Sequence, residues 1–409
     1  MNVYDTLMER GFLDQATHPE EIREILGREK VTFYIGFDPT AASLTIGGLI
    51  PVFAMVHLQR AGHRPIALMG GGTGMIGDPT DKMETRKMMT AEEIERNLDG
   101  IREQMGRFLD FSDGKALMAN NADWLMKLQY VPFLRDVCIH FSVNRMLSAD
   151  AFRTRFEREA GLTLFEMNYM VMQAYDFLEL NRLYGCTMQM GGRDQWSNII
   201  AGVDLIRRVE KKNAYGLTFA LLTRSDGEKM GKSMEGAVFL DAGLTSPYQF
   251  FQHLRNTDDR DVEKYFRIFT FLSLDEIKQI CAGDINEAKK ILALETTTLV
   301  HGEQAAKEAL ETAKALFGGG NSGADNSAMP VTEIKNEELG AMNAAGLMVR
   351  CGLTPSVSEA RRLIVQGGVS FSNEKVTDPA KSISSEDFLN GELIIKKGKK
   401  VFHKVKLAE

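Results

Sequence analysis

The stretch VTFYIGFDPTAASLTIGGLIPVFAMVHLQRAGHRPIALMGG, residues 31–71, decides the fold. VTFYIGF (31–37) is rich in β-branched and aromatic residues and reads as a strand. LIPVFAMVHLQRAGH reads as a helix, with Pro51 tolerable in its first turn, and RPIALMGG (64–71) as a second strand. Two strands joined through a helix form the crossover on which parallel sheets are built. Where the first strand ends, Gly47 and Gly48 would let a ligand approach the free N–H groups of the helix start closely. Taken alone, a turn of this kind is usually just a turn.

The pattern continues outward from this unit. Thr90 and Glu93 have the spacing of a capping box and predict a helix running toward Leu109. TMQMG (187–191) and LTFALLT (217–223) predict further strands. Strands alternating with helices predict an α/β fold, a parallel sheet covered by helices, with ligands at the carboxyl ends of the strands. Residues 246–316 carry apolar residues at three and four spacing and predict a helical domain. GGGNSGADNSAMP (318–330) reads as a linker, and residues 331–409 as a small α+β module.

Composition narrows the class. The chain has 409 residues, 44% hydrophobic and 26% charged, which fits two or three globular domains. The N-terminus MNVYDTLMERGFLDQ lacks the pattern of a signal peptide, and no apolar stretch reaches the ~20 residues of a membrane span. A soluble, cytoplasmic protein with no membrane partner is expected. Cys138, Cys186, Cys281 and Cys351 stand far apart, which excludes a disulfide framework or zinc ribbon. The seven histidines form no HExxH or HxH pattern, and His57 and His63 read as surface or packing residues. No protein-bound metal is expected.

The net charge of −7 argues against a nucleic-acid partner, but it is uneven. Residues 331–409 hold 12 Lys and Arg against 10 Asp and Glu, and six of those bases fall in the last 14 residues, KKGKKVFHKVKLAE. Such a patch can contact phosphates; it reads equally as a solvated tail.

Three further motifs carry potential chemistry. SDGEKMGKS (225–233) places two lysines and a serine around Gly231, but three residues separate Gly227 from Gly231 where a P-loop needs four. In NYMVMQAYDFLEL (168–180), Tyr169, Gln173 and Asp176 lie on one helical face among apolar neighbours. That stripe is either a wall of a buried site or the solvent face. GGRDQWSN (191–198) follows a strand and opens a helix, and Asp194 reads as its cap.

In order and spacing, these motifs resemble bacterial tyrosyl-tRNA synthetases, a class I family. The shared elements are DPTxxSLxIGxLxP, GDPT (77–80), YMxxQxYDF, GGxDQW and KMGKS, supported by HFSVN (140–144), TSPYQFFQ (245–252), NTDDRDV (256–262) and LVHGEQ (299–304). PSVSEARRLIVQGGVSFSNEKV (355–376) is similar to an S4-type RNA-binding module, so the likeness covers nearly the whole chain.

The resemblance implies a Rossmann-like catalytic domain over 1–225, with the tyrosine and ATP site and a dimer interface around 118–160. A KMGKS loop and helical anticodon-binding domain (226–317), the linker and an S4-like domain (331–409) would follow. It implies activation of L-tyrosine with ATP, accompanied by Mg2+, and transfer to tRNA(Tyr) by a homodimer. Tyr34 and Asp176 would bind the phenolic hydroxyl, Asp78, Tyr169 and Gln173 the ammonium group, and Gln195 the carboxylate. Gly36, Asp38, Gly47, Gly192 and Asp194 would contact the adenylate side. Thr40, Thr45, Gly48, Lys82, Arg86, Lys229, Lys232 and Ser233 would serve the phosphates and the transition state.

One motif departs from the family. Class I members carry His-Ile-Gly-His or a close relative where this chain reads Thr45-Ile46-Gly47-Gly48. Ile35 and Arg193 also replace smaller residues. The departure implies slow activation, or, in a rival reading, a synthetase-derived protein that binds tyrosine or RNA and catalyses little. Tryptophan specificity is disfavoured, since Tyr34 with Asp176 suits a hydroxyl and not an indole.

Overall fold

The computed structural model describes residues 2–78, 89–149, 152–153, 162–223, 225, 230, 232–233, 236–317, 330–340, 342–372, 374–389, 391–398 and 401–408. The chain forms two compact units, one of Met1–Met230 with Asp258–Gly283, the other of Gly231–Thr257 with Asp284–Glu409.

The first unit is built on a six-stranded sheet: β1 (Leu13–Ala16), β2 (Thr32–Phe37), β3 (Arg64–Met69), β4 (Leu117–Asn120), β5 (Met188–Gly192) and β6 (Tyr215–Phe219), in the order β1-β6-β5-β2-β3-β4. The expected parallel sheet is present in β2 to β6, but β1 adds an antiparallel edge to β6. Buried residues follow one another along β2 and β3, as a sheet covered on both faces requires. LTFALLT yields a strand only as far as Phe219.

Five helices matter for the site. α1 (Val3–Arg10) opens the chain. α2 (Leu49–Arg60) buries Leu49, Val52, Phe53, Met55 and Leu58, so it is enclosed on most sides. α3 (Ala91–Phe108) begins with the capping box read from Thr90 and Glu93, each side chain bonded to the other's backbone N–H. α4 (Leu164–Tyr184) has a second capping box, Thr163 with Glu166, and ends on Gly185 at φ 65°. α5 (Trp196–Val209) packs along α4.

The stretch expected to be one helical block is divided. Asp258–Gly283, carrying α6 (Val262–Phe269), packs with the first unit for two reasons. Arg10, 6% exposed, donates to the carbonyls of Arg267 (2.8 Å), Thr270 (2.9 Å) and Leu272. Phe269 and Phe271 stack against Phe53 of α2, with ring centroids 6.5 and 5.3 Å away. His57 packs between Phe12 and Phe271. His63 is buried and accepts from the Val31 N–H at 3.2 Å. Neither histidine is a surface residue; both are packing residues, and burial lowers the pKa of each, that of His57 to about 4.

The second unit contains helices Pro247–Arg255, Ile285–His301 and Glu303–Phe317, the short pair β7 (Lys232–Ser233) and β8 (Gly236–Ala237), and a five-stranded sheet. That sheet comprises β9 (Val331–Lys335), β10 (Val369–Phe371), β11 (Glu374–Lys375), β12 (Glu392–Lys397) and β13 (Val401–Ala408). With helices Ala344–Arg350 and Val357–Val365 it encloses a core of Leu347, Met348, Ile364, Phe371, Ile395 and Val405. The stretch read as a linker lies outside the described residues except Pro330.

Candidate active site

From β2 the sheet advances to β3 and β4 on one side, and from β5 to β6 on the other. The connections therefore diverge between β2 and β5, and a crevice opens at the carboxyl ends of those two strands. A cavity of about 290 Å³ lies there, lined by Tyr34 and Gly36 from β2, by Asp38 just beyond it, and by Gln189, Gly191 and Gly192 from β5. Tyr34 and Gln189 are register partners, so both side chains leave the same face of the sheet.

α4 supplies the third wall. Its stripe of Tyr169, Gln173 and Asp176 lines the cavity, with Tyr169 and Asp176 only 6% and 1% exposed. This settles the choice between solvent face and buried wall.

At the closed end, both oxygens of Asp176 are held. Trp124 Nε1 donates to Oδ1 at 2.7 Å and Asn121 Nδ2 to Oδ2 at 3.0 Å. Burial nevertheless pushes the carboxyl up to about 7, against the pull of these donors. Tyr34 packs against Phe177 with ring centroids 5.4 Å apart. Its hydroxyl is buried and meets no hydrogen-bond partner among the described residues, and neither does Gln189 Oε1. Burial, then the Asp176 charge, holds the Tyr34 hydroxyl protonated. A lone hydroxyl beside a carboxylate defines a cavity end shaped for one polar group of a ligand.

The middle is a continuous polar network. Tyr169 Oη donates to Asp38 Oδ2 at 2.8 Å, and Thr73 Oγ1 to Asp38 Oδ1 at 2.9 Å. Gln195 Nε2 donates to Asp78 at 2.6 Å and to Asp194 at 2.9 Å, while its Oε1 accepts from Gln173 and Asn198, both at 3.2 Å. Carboxylates so arranged suit cationic and hydroxyl donors of a ligand.

Two glycines keep this middle open. A Cβ on Gly70 would fall 2.3 Å from Asp38 Oδ1, and one on Gly192 would fall 2.4 Å from Asp194 Oδ1. Asp194 is not a helix cap: the chain enters α5 through a 3-10 turn, Arg193–Gln195, without a side-chain cap, and its carboxylate takes the Gln195 amide instead.

The open end is bordered by Thr40, Gly48 and Pro51. Thr45 precedes the turn Ile46–Gly48, and its carbonyl accepts from the Gly48 N–H at 2.8 Å. Thr45 and Gly47 are not among the cavity's lining residues.

The family model for class I tRNA synthetases of the tryptophan and tyrosine type matches residues 27–318, and one for the C-terminal domain of tyrosine–tRNA ligases matches residues 323–405. This chain belongs to the class I tRNA synthetases. The tyrosine–tRNA ligase of Clostridium kluyveri is 56% identical over 407 residues, 99% of each chain. That of Clostridium botulinum is 54% identical over the same share. A C-terminally truncated mitochondrial tyrosyl-tRNA synthetase from Aspergillus nidulans superimposes with a TM-score of 0.70 at 26% identity, covering 77% of this chain and 94% of its own.

Of the residues the synthetase resemblance singled out, Tyr34, Gly36, Asp38, Thr40, Gly48, Asp78, Tyr169, Gln173, Asp176, Gly192, Asp194 and Gln195 line this one cavity. Lys82, Arg86 and Lys229 lie outside the described residues, and Lys232 and Ser233 are described only as the backbone of β7. Sequence reasoning missed Thr73, Asn121, Trp124, Gln189 and Asn198. The signal for two of them was the polar run NNADW (120–124) at the carboxyl end of β4, where a ligand is expected. Among the described residues no group of three or more His, Cys, Asp or Glu side chains forms a metal site, and no helix is long and apolar enough to cross a membrane.

Proposed function

We infer that this chain is a tyrosine–tRNA ligase: it activates L-tyrosine with ATP to tyrosyl-adenylate and pyrophosphate, then transfers tyrosine to the 3′ end of tRNA(Tyr). The observation that carries tyrosine over tryptophan is the closed end of the cavity. The partnerless Tyr34 hydroxyl and the Asp176 carboxylate meet a substrate hydroxyl, which an indole lacks.

The remaining roles follow from position. Asp78, Tyr169 and Gln173 receive the ammonium group, and Gln195 stands near the carboxylate. Gly36, Asp38, Gly192 and Asp194 face the adenylate, with Thr40 and Gly48 toward the phosphates. Lys82, Arg86, Lys229, Lys232 and Ser233 attend the pyrophosphate on the strength of the motifs alone, and Mg2+ enters with ATP as part of the substrate. The carboxylate of tyrosine attacks the α-phosphorus in line, so the protein needs no nucleophilic side chain. It supplies position and charge. Thr45 and Gly48, which replace histidines, make this step slow.

A homodimer fits the surface of the first unit, where Met126, Tyr130, Val131, Ile139 and Val143 are all more than half exposed. Residues 331–409 serve tRNA. The working compartment is the cytoplasm, where tRNA and ATP are supplied. Tyrosine-dependent exchange of pyrophosphate into ATP tests the reading. Exchange with tyrosine and not with tryptophan or phenylalanine is expected; exchange driven by tryptophan, or by none of the three, would overturn it.

A further inference from the structure

We propose that Asp261 and Lys264, at the start of α6, are positioning residues for the activation step, holding Thr223, Ser225 and Met230, where the chain enters the lysine motif, beside the open end of the cavity. The proposal rests on the ligase reading above. Its structural part stands on contacts within the first unit.

Beyond β6 the loop base is pinned at four described points. The Met230 N–H donates to the Leu222 carbonyl at 2.9 Å, which closes the base across the loop. Lys264 Nζ donates to the Thr223 carbonyl at 2.6 Å. The Ser225 N–H donates to Asp261 Oδ2 at 2.9 Å. The Met230 carbonyl lies beside Gly47, 3.6 Å from where a Cβ on that glycine would sit. Only four residues separate Ser225 from Met230, and each extends the chain by at most ~3.6 Å. The described anchors at Ser225 and Met230 therefore bracket the motif's first lysine in the sequence.

The anchors are themselves fixed to the helix that opens onto the cavity. Asp261 is 5% exposed. Past the end of α6, Phe271 packs against Phe53 and His57 of α2, and the Arg60 guanidinium lies 3.9 Å from the Phe271 ring centroid. α2 begins at Leu49, directly after Gly48 at the cavity's open end. One rigid piece thus sets both the helix start and the loop base, and Arg10 locks that piece from behind. Neither Asp261 nor Lys264 lines the cavity, so both act through Thr223 and Ser225.

The test is pre-steady-state adenylate formation by the full chain, with Lys264→Ala, Lys264→Arg and Asp261→Asn. Lys264→Ala should lower the maximal activation rate about tenfold, the scale of one lost hydrogen bond to a charged group. The tyrosine dissociation constant and melting temperature should stay unchanged, and Lys264→Arg should restore the rate. Asp261→Asn should also slow activation, and tryptic cleavage after Lys229 should quicken in both Lys264→Ala and Asp261→Asn. Wild-type rates with unchanged cleavage in both variants would overturn the proposal. So would a rate loss accompanied by equal loss of tyrosine affinity and melting temperature that arginine does not rescue. A wild-type chain inert in exchange would instead remove the ligase reading, and the cleavage rates would still decide the anchoring.

Discussion

Trp124 Nε1 donates to Asp176 Oδ1 across 2.7 Å, so the buried carboxylate is aimed by a residue 52 positions away in the chain. Trp124→Phe keeps an aromatic ring and removes that donor. Tyrosine affinity should fall by roughly tenfold, the scale of one lost hydrogen bond to a charged group, and phenylalanine affinity should not change. Asp176→Ala should abolish measurable tyrosine binding. Equilibrium dialysis with both amino acids checks this, and retained selectivity in Asp176→Ala would remove that residue from the site.

The same carboxyl makes binding depend on pH. Its pKa is pushed from 3.8 to about 7 by burial, so the folded chain keeps a proton there that the unfolded chain has released. This group's contribution to stability is complete below pH 4 and is lost as pH rises to about 7. Asp176→Asn should flatten that part of the stability profile. A substrate hydroxyl donating to Asp176 prefers the ionised form, because Asn121 and Trp124 already donate to it. Tyrosine affinity should rise between pH 6 and 8, with proton release on binding at pH 6, measurable by titration calorimetry in buffers of different ionisation heat.

Lys229 and Lys232 should act as charge builds on the departing pyrophosphate. Neutralising either should depress the activation rate far more than tyrosine binding. Single-turnover kinetics beside a dissociation constant separates the two effects, and a mainly weakened tyrosine affinity in Lys232→Ala would reassign the loop.

A chain ending at Pro330 lacks β9 to β13 and their core. It should still bind tyrosine and exchange pyrophosphate at the rate of the full chain, while charging tRNA poorly. Aminoacylation at full rate by the shortened chain would show that residues 331–409 are not the tRNA module.

Replacing Thr45 and Gly48 together by histidine should speed exchange strongly and leave the tyrosine dissociation constant nearly unchanged. One lost transition-state donor commonly costs about 10²–10³ in rate, and paired losses need not add. The backbone accepts the change: Gly48 has φ −69°, and a Cβ there meets Leu44 Cβ at 3.3 Å, a contact the leucine side chain can relieve. If the natural chain already matches the double variant, these two positions do not limit it.

What could be read from the sequence was what is written locally. The capping box of Thr90 and Glu93, the strand at 31–37 and the shared face of Tyr169, Gln173 and Asp176 all depend on residues within two turns or one strand of each other. Trp124 and Asn121 depend instead on β4 lying beside β3, a pairing that no periodicity expresses. The same holds for Asp261 and Ser225, 36 positions apart. Gln189 went unread because a polar residue in a buried strand earns meaning only from its register partner, Tyr34.

The path of the chain has a consequence for its synthesis. Arg10 finds its carbonyl partners 257 to 262 residues further on, after the chain has left the first unit at Gly231 and come back at Asp258. During translation the N-terminal helix must wait for Leu272 to emerge from the ribosome, roughly 15–50 s at ordinary elongation speeds. Until then Phe53 and His57 lack the cover of Phe269 and Phe271. The nascent protein is thus most open to chaperone capture or aggregation late in synthesis, and a fragment ending anywhere between Met230 and Asp258 should be recovered as insoluble material.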